Sequence, residues 1–119
     1  MKLYVINLKV NKKIVLITGG SRGIGKSIAE KFVSDGSTVI ITSKNKTKLK
    51  QTSKELGDIF FVPGDIKNEV DVKNVIDKTI KKFGRIDILV NNAGILPKMK
   101  PLHQISEKEW NEIIDVNLN

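Results

Sequence analysis

The residues with the clearest chemical potential form a glycine segment, Thr18-Gly19-Gly20-Ser21-Arg22-Gly23-Ile24-Gly25. It follows the short, β-branched apolar run Ile14 to Thr18 and precedes apolar residues at helical spacing. Between a strand and a helix, Gly19 suits a tight turn, Gly23 a close approach to phosphate, and Gly25 the packing of helix on sheet. The helix N-terminus offers N–H groups and a positive dipole end, so the segment predicts a pyrophosphate site. The alternative is a βα turn without a ligand.

The end of the second predicted strand bears on the choice of dinucleotide. An acidic residue at this point would bind the adenosine ribose of NAD, but this chain has Ser43 and Lys44. No carboxylate there repels a 2′-phosphate, Lys44 could attract one, and Arg22 of the glycine segment could reach the same side. We therefore expect NADP(H) to be favoured over NAD(H). The alternative is that Arg22 and Lys44 are ordinary surface cations.

These residues need a scaffold, and the rest of the chain supplies an alternation of apolar runs with segments of helical period. That alternation is typical of βαβ units around a parallel sheet. Strands are predicted over 14–18, 38–42, 59–62 and 86–90, with helices between them. We expect an α/β fold, a Rossmann-like doubly wound sheet that is incomplete, with strand order 3-2-1-4 and flanking helices. We expect residues 1–119 to form one partial dinucleotide-binding domain, with 1–12 as an N-terminal extension.

Two further helix starts are predicted from capping patterns. Asn68 precedes a helix with Asp71 three residues on, and Ser106-Glu107-Lys108-Glu109 is a capping box. The helix after this box carries Trp110, Ile113, Ile114 and Leu118 on its apolar face.

Composition narrows the class of protein. The 119 residues are 39% hydrophobic and 29% charged, which is an ordinary globular balance. There is no cysteine, which excludes disulfides, thiolate metal sites and cysteine nucleophiles. The formal charge of +8 comes from dispersed lysines, and aromatic residues are only 5%, so we expect no nucleic-acid partner. No apolar run approaches the roughly 18 residues of a membrane span, and we expect a cytoplasmic location with no membrane partner.

The glycine segment and three later segments resemble the short-chain dehydrogenase/reductase family. Gly64-Asp65-Ile66 resembles the family's segment that contacts the adenine, and Asp87-Ile88-Leu89-Val90-Asn91-Asn92-Ala93-Gly94 resembles its Asn-Asn-Ala-Gly motif. Asp115-Val116-Asn117-Leu118 resembles the helix segment that carries an active-site asparagine. The resemblance covers nearly the whole chain from Lys12 onward.

The resemblance implies a nicotinamide-dependent oxidoreductase and gives roles to individual residues. The implied cofactor-binding residues are Thr18, Gly19, Ser21, Arg22, Gly23, Ile24, Gly25, Ser43, Lys44, Asp65, Ile66, Asn91, Ala93 and Gly94. Asn91 would brace the sheet, and Asn117 would support catalysis by holding a water from the buried face of its helix. Without the resemblance, Asp65 and Asn91 read as ordinary turn residues.

The family's proton transfer uses a serine and a Tyr-x-x-x-Lys pair, and the sequence contains no such pair. Tyr4 is the only tyrosine, and Leu8 stands four residues after it. We therefore expect an amino-terminal portion of the fold that is catalytically inactive alone. The strand 86–90 would then be an apolar edge, which invites self-association.

The sequence leaves two alternative functions of different classes open. The first is the NADP(H)-binding portion of an oxidoreductase that transfers hydride between nicotinamide and a small ketone or alcohol, similar to 3-oxoacyl carrier-protein reductases. The complete enzyme would be a homo-oligomer. The second is a non-catalytic dinucleotide-binding module, or a truncated relic, that self-associates or pairs with an intact relative. A Rossmann-like methyltransferase is disfavoured because it would prefer an acidic residue where Ser43 and Lys44 stand.

Overall fold

The computed structural model describes residues 2–6, 12–92 and 114–117. Its strands are β1 (Lys2–Val5), β2 (Ile14–Thr18), β3 (Thr38–Ser43), β4 (Phe60–Pro63), β5 (Ile88–Asn91) and β6 (Ile114–Asn117). Its helices are α1 (Gly23–Ser34), α2 (Lys46–Glu55) and α3 (Glu69–Phe83). The strands form one sheet in the order β4-β3-β2-β5-β1-β6.

The centre of this sheet is parallel. β2 pairs in parallel with both β3 and β5, and β3 pairs in parallel with β4. The run β4-β3-β2-β5 is the predicted order 3-2-1-4, so the Rossmann-like fold is confirmed.

Successive residues of β2 enter opposite halves of the core, because side chains alternate along a strand. Leu16 packs with Ile40 and with Ile76 of α3 on one face of the sheet. Val15 and Ile17 pack with Leu49 of α2 on the other face. All five residues of β2 are buried, as expected for a strand covered on both faces.

The start of α3 agrees with its predicted cap in part. The Asn68 side-chain oxygen accepts the N–H groups of Val70 and Asp71, at 2.9 and 3.1 Å. The Asp71 carboxylate, however, does not complete the pattern by returning to Asn68; it accepts the N–H of Asp65 at 2.9 Å. The carboxylate thus ties α3 to the loop that follows β4.

The edge of the parallel region differs from the prediction. The fourth predicted strand was expected to be an open edge, but β1 pairs antiparallel with β5, and Val5 lies opposite Ile88. The N–H of Ile6 also donates to the carbonyl of Asp87 at 2.6 Å. Unpaired N–H and C=O groups on an apolar edge favour the addition of a strand, and Leu3-Tyr4-Val5 is rich in strand-forming residues.

The last predicted helix is wrong over its final residues. Ile114–Asn117 forms β6, which pairs antiparallel with β1, so Asn117 lies on a strand and not on a helix. The sequence Ile-Asp-Val-Asn alternates apolar and polar residues, which is the period of a strand, and the outer edge of β1 supplies backbone partners. The capping box and Trp110 lie outside the described residues.

The described part of the chain contains neither a helix that could span a membrane nor a cluster of metal-binding side chains. None of its helices has the length and apolarity that crossing a membrane requires. Within the same ranges, no three His, Asp or Glu side chains come together as a metal site would need.

Candidate functional site

A cleft of about 210 Å³ opens at the carboxyl ends of β2, β3 and β4. Parallel α/β sheets bind ligands at this edge. The cleft, called the strand-end cleft below, is lined by Thr18, Gly19, Thr42, Ser43, Lys44, Gly64, Asp65, Ile66 and Lys67. Three separate sequence segments therefore meet there.

The glycine segment forms the turn on one side of the strand-end cleft. Gly19 and Gly23 have φ angles of 66° and 60°, a region that side chains other than glycine rarely adopt. The N–H groups of Gly19 and Gly20 donate to the carbonyl of Thr42, at 2.9 and 3.3 Å. These bonds hold the turn against the end of β3.

The N-terminus of α1 has no side-chain cap. Arg22 occupies the N-cap position with an extended backbone, and its side chain makes no capping hydrogen bond. The first turn also contains no acidic residue. Since a helix N-terminus carries unpaired N–H groups and a positive dipole end, this one can bind an anion.

Close packing holds α1 against the turn. A Cβ on Gly25 would lie 2.0 Å from the Gly19 carbonyl oxygen and 2.7 Å from Asn92 Nδ2. Glycine is therefore required at this position for the helix to approach the sheet as it does.

Thr18 joins the glycine turn to β5. Its hydroxyl donates to Asn91 Oδ1 at 3.1 Å and accepts the Asn92 N–H at 3.1 Å. Asn92 Nδ2 in turn donates to the Gly19 carbonyl at 3.5 Å. Thr18 and Asn91 are 2% and 8% exposed, so the hydrogen bond between their side chains is shielded from water.

On the opposite side of the strand-end cleft, Asp65 makes three polar contacts besides the hydrogen bond from its N–H to Asp71. Its carboxylate accepts the Lys67 N–H at 3.0 Å and lies 3.9 Å from Lys44 Nζ, and its carbonyl accepts the Asn68 N–H at 2.9 Å. The Lys44 side chain is 78% exposed. This long, solvated ion pair is weak and leaves Lys44 able to contact another anion.

Two hydroxyls at the cleft are unpaired. Among the described residues, the buried side-chain atoms without a hydrogen-bond partner are Thr42 Oγ1 and Ser43 Oγ. Buried polar groups normally have partners, so these two call for a polar ligand or water. The glycine turn connects this cleft to the uncapped N-terminus of α1, so hydroxyls and helix N–H groups are available to a phosphorylated nucleoside.

The structure brings six of the predicted cofactor-binding residues to the strand-end cleft. Ser43, Lys44, Asp65 and Ile66 line the cleft with Thr18 and Gly19. Arg22 and Ile24 are exposed at the start of α1, whereas Ser21 is 7% exposed and turned inward. Ala93 and Gly94 lie outside the described residues. Asn117 is on β6, separated from β5 by β1, although Lys2 lies opposite both Asn91 and Asn117.

Sequence reasoning missed Thr42 as a cleft residue, and it missed Thr52 and Asn92 as residues that contact the glycine segment. Thr42 ends an apolar strand, where a polar residue signals the cleft edge. Thr52 lies three residues after Leu49, so it shares the inward face of α2. Asn92 belongs to the quoted Asn-Asn-Ala-Gly motif but received no role of its own.

With this geometry established, comparison with known proteins gives the family. The sequence model described as short chain dehydrogenase matches residues 13–119, and the chain belongs to that family. L-fucose dehydrogenase of Mus musculus is 36% identical over 106 residues, which are 89% of this chain and 39% of that protein. 3beta-hydroxysteroid dehydrogenase 2 of Eggerthella lenta is 38% identical over 108 residues, 87% of this chain and 42% of that protein. The chain thus spans about two fifths of the length of these curated relatives.

Solved structures agree with the fold. An actinorhodin polyketide ketoreductase with NADPH matches with a TM-score of 0.68 and 27% identity, over 71% of this chain and 34% of that one. The 3-ketoacyl-(acyl-carrier-protein) reductase of Brucella melitensis, complexed with NADH, matches with a TM-score of 0.60 and 33% identity. That match covers 62% of this chain and 31% of the other.

Proposed function

We propose that this chain is the NADP(H)-binding portion of an oxidoreductase that transfers hydride between nicotinamide and a small ketone or alcohol. The observation that carries the proposal is the strand-end cleft, which is lined by Gly19 of the glycine turn and by Thr42 and Ser43 with their unpaired hydroxyls. The same turn leads into the uncapped N-terminus of α1. Family membership supports the reaction class. The NADPH and NADH of the two solved relatives support a nicotinamide dinucleotide.

The residues of the site fit the parts of such a cofactor. The first turn of α1 would bind the pyrophosphate through its N–H groups, as helix N-termini do. The unpaired hydroxyls of Thr42 and Ser43 would donate hydrogen bonds to the adenosine part of the cofactor. Asp65 and Ile66 would contact the adenine. When bound, the nicotinamide supplies or accepts the hydride.

The preference for NADP(H) rests on the charge at the end of β3. Ser43 and Lys44 place a hydroxyl and an exposed ammonium there, where a carboxylate would exclude a 2′-phosphate. The Lys44 ammonium is 3.9 Å from Asp65, so a 2′-phosphate would compete with that carboxylate for the same cation. Because the 2′-phosphate carries two negative charges, it attracts the Lys44 ammonium more strongly than the singly charged carboxylate of Asp65 does.

The test is a titration of the purified chain with NADPH and NADH, followed by nicotinamide fluorescence. We expect NADPH to bind more tightly, with a difference that shrinks as ionic strength rises, because the added contact is between charges. Equal affinity, or tighter binding of NADH, would contradict the role given to Lys44. Binding of neither dinucleotide would contradict the proposed function of the chain by itself.

A second candidate is a dinucleotide-binding module without catalysis of its own, or a relic that pairs with an intact relative. It is favoured by one observation: the only tyrosine, Tyr4, is followed four residues later by Leu8 and not by lysine. Under this proposal the chain binds NADPH but does not oxidise it when small ketones or 3-oxoacyl thioesters are added. Steady NADPH oxidation by the chain alone would exclude this candidate.

We place both candidates in the cytoplasm, since a chain without cysteine suits a reducing compartment.

A further inference from the structure

A buried threonine on α2 contacts the glycine segment from behind. The Thr52 hydroxyl donates to the backbone carbonyl of Ser21 at 2.5 Å. Thr52 is fully buried, and Ser21 is 7% exposed, so water does not compete for this hydrogen bond. The bond joins residues 31 positions apart in sequence and links α2 to the glycine segment.

A second contact ties α2 to the same region. Lys26, next to Gly25 in the first turn of α1, forms an ion pair with Glu55 of α2. Gln51 Nε2 donates to Glu55 Oε1 at 3.3 Å and helps to orient that carboxylate. One face of α2 therefore contacts both the turn and the start of α1.

The same helix begins at the strand-end cleft. Asn45 caps α2 by accepting the Lys48 N–H at 3.0 Å, and it directly follows Ser43 and Lys44. α2 thus connects the cation at the end of β3 to the turn that precedes α1. A shift of α2 would change the spacing between these two anion-binding points.

The geometry of the peptide bond explains how the Thr52 hydrogen bond orients the N–H group of Arg22. The Ser21 carbonyl and the Arg22 N–H belong to one planar peptide unit, and no cis bond is present among the described residues. In a trans unit the two groups point in opposite directions. When Thr52 holds the Ser21 oxygen towards α2, the Arg22 N–H is held facing away from α2.

We propose that Thr52 is a positioning residue for the cofactor: it fixes the glycine segment in the orientation that receives the pyrophosphate. This inference rests on the proposed dinucleotide binding and deepens it. Thr52 touches no cofactor itself and acts through the Ser21–Arg22 peptide. Its loss affects ligands that carry a pyrophosphate and spares those held only at the adenosine end.

The experiment compares Thr52→Val, which keeps the shape and removes the hydroxyl, with Thr52→Ser, which keeps the hydroxyl. The matched control is Thr79→Val, because Thr79 is also fully buried and donates to a carbonyl, that of Val75, but within α3. Two quantities are measured: amide hydrogen exchange of residues 19–25 without ligand, and affinity for NADPH and for adenosine 2′-monophosphate. If Thr52→Val lowers the folded fraction, Thr52→Ala replaces it.

We expect Thr52→Val to speed exchange in the glycine segment and to weaken NADPH binding roughly tenfold, the effect of one hydrogen bond. Its affinity for adenosine 2′-monophosphate should stay within about twofold of the starting protein. Thr52→Ser should restore both quantities, and Thr79→Val should change neither. Equal effects of Thr52→Val and Thr79→Val on exchange and affinity would overturn the proposal.

The exchange measurement separates this inference from the proposed function. Failure of the unaltered chain to bind NADPH would contradict dinucleotide binding by the chain alone. Unchanged exchange in residues 19–25 of Thr52→Val would overturn the positioning role whether or not NADPH binds.

Discussion

The carbonyl oxygen of Gly19 lies 2.0 Å from the point that a Cβ on residue 25 would occupy. Both residues belong to the glycine segment, one at its turn and the other in the first turn of α1. No side chain can enter that space, so the approach of α1 to the turn depends on the hydrogen of Gly25. The position of the α1 N-terminus relative to the glycine turn depends on the same contact.

Gly25→Ala is therefore expected to force the first turn of α1 away from Gly19. An added methyl group in a packed region costs about 1–3 kcal/mol of unfolding free energy. Because the shift moves the N–H groups that would hold the pyrophosphate, NADPH affinity should fall as well. Denaturant unfolding and NADPH titration measure the two effects.

The matched control for this substitution is Gly36→Ala. Gly36 has a φ of 87° and no atom within 4 Å of the added Cβ, so the cost there is backbone strain of about 1–2 kcal/mol. We expect Gly36→Ala to lower stability without changing NADPH affinity. A Gly25→Ala protein that binds NADPH as tightly as Gly36→Ala does would contradict the role of the Gly19–Gly25 contact.

The parallel centre of the fold was predictable because its signals are local. The apolar run Ile14–Thr18 and the glycines after it establish a strand, a turn and a helix within a dozen residues. The strand order then follows from the βαβ pattern and places Lys44 and Asp65 at one cleft.

The antiparallel edge was not predictable because its strand pairings depend on contacts between distant parts of the sequence. The pairing of Lys2 with Asn91 and with Asn117 joins segments far apart in sequence, and no turn signal connects them. Ile114 fits a helical face by spacing and a strand by its branching, and only the open edge of β1 decides between them. Thr52 was missed because its polar side chain shares a face with Leu49, and its partner is a backbone carbonyl that no sequence pattern reveals.

Lys44→Glu should reverse the preference between dinucleotides. The change removes the ammonium beside Asp65 and places a carboxylate at the end of β3, where it can accept the ribose hydroxyls of NADH and repel a 2′-phosphate. The loss of one charge-assisted contact, about 1.5 kcal/mol, predicts roughly tenfold weaker NADPH binding. Parallel titrations with NADPH and NADH give the ratio of affinities.

Lys50→Glu is the control for net charge. Lys50 is also exposed and lies on α2, but it lines a groove formed with Phe60 and Phe83 instead of the strand-end cleft. It should lower NADPH affinity only slightly and in a salt-dependent way, because its effect is long-range. If both variants change the affinity ratio equally, the preference comes from overall charge and not from Lys44.

Glu55→Gln tests the ion pair between α1 and α2 through its dependence on pH. The hydrogen bond from Lys26, followed by the positive charge of Lys26, lowers the pKa of Glu55 below its usual 4.5. A carboxylate whose pKa is lower in the folded state stabilises the fold above the unfolded pKa, and this stabilisation is lost as the pH falls through the folded value. The side chains of Lys26 and Glu55 are 34% and 41% exposed, so the effect on stability should be small.

Urea unfolding should show Glu55→Gln to be less stable than the starting protein at neutral pH, with the difference closing as the pH falls below 4.5. Glu30→Gln, at an exposed position of α1, should show no such convergence, and a Glu55→Gln difference that persists unchanged in acid would contradict the ion pair.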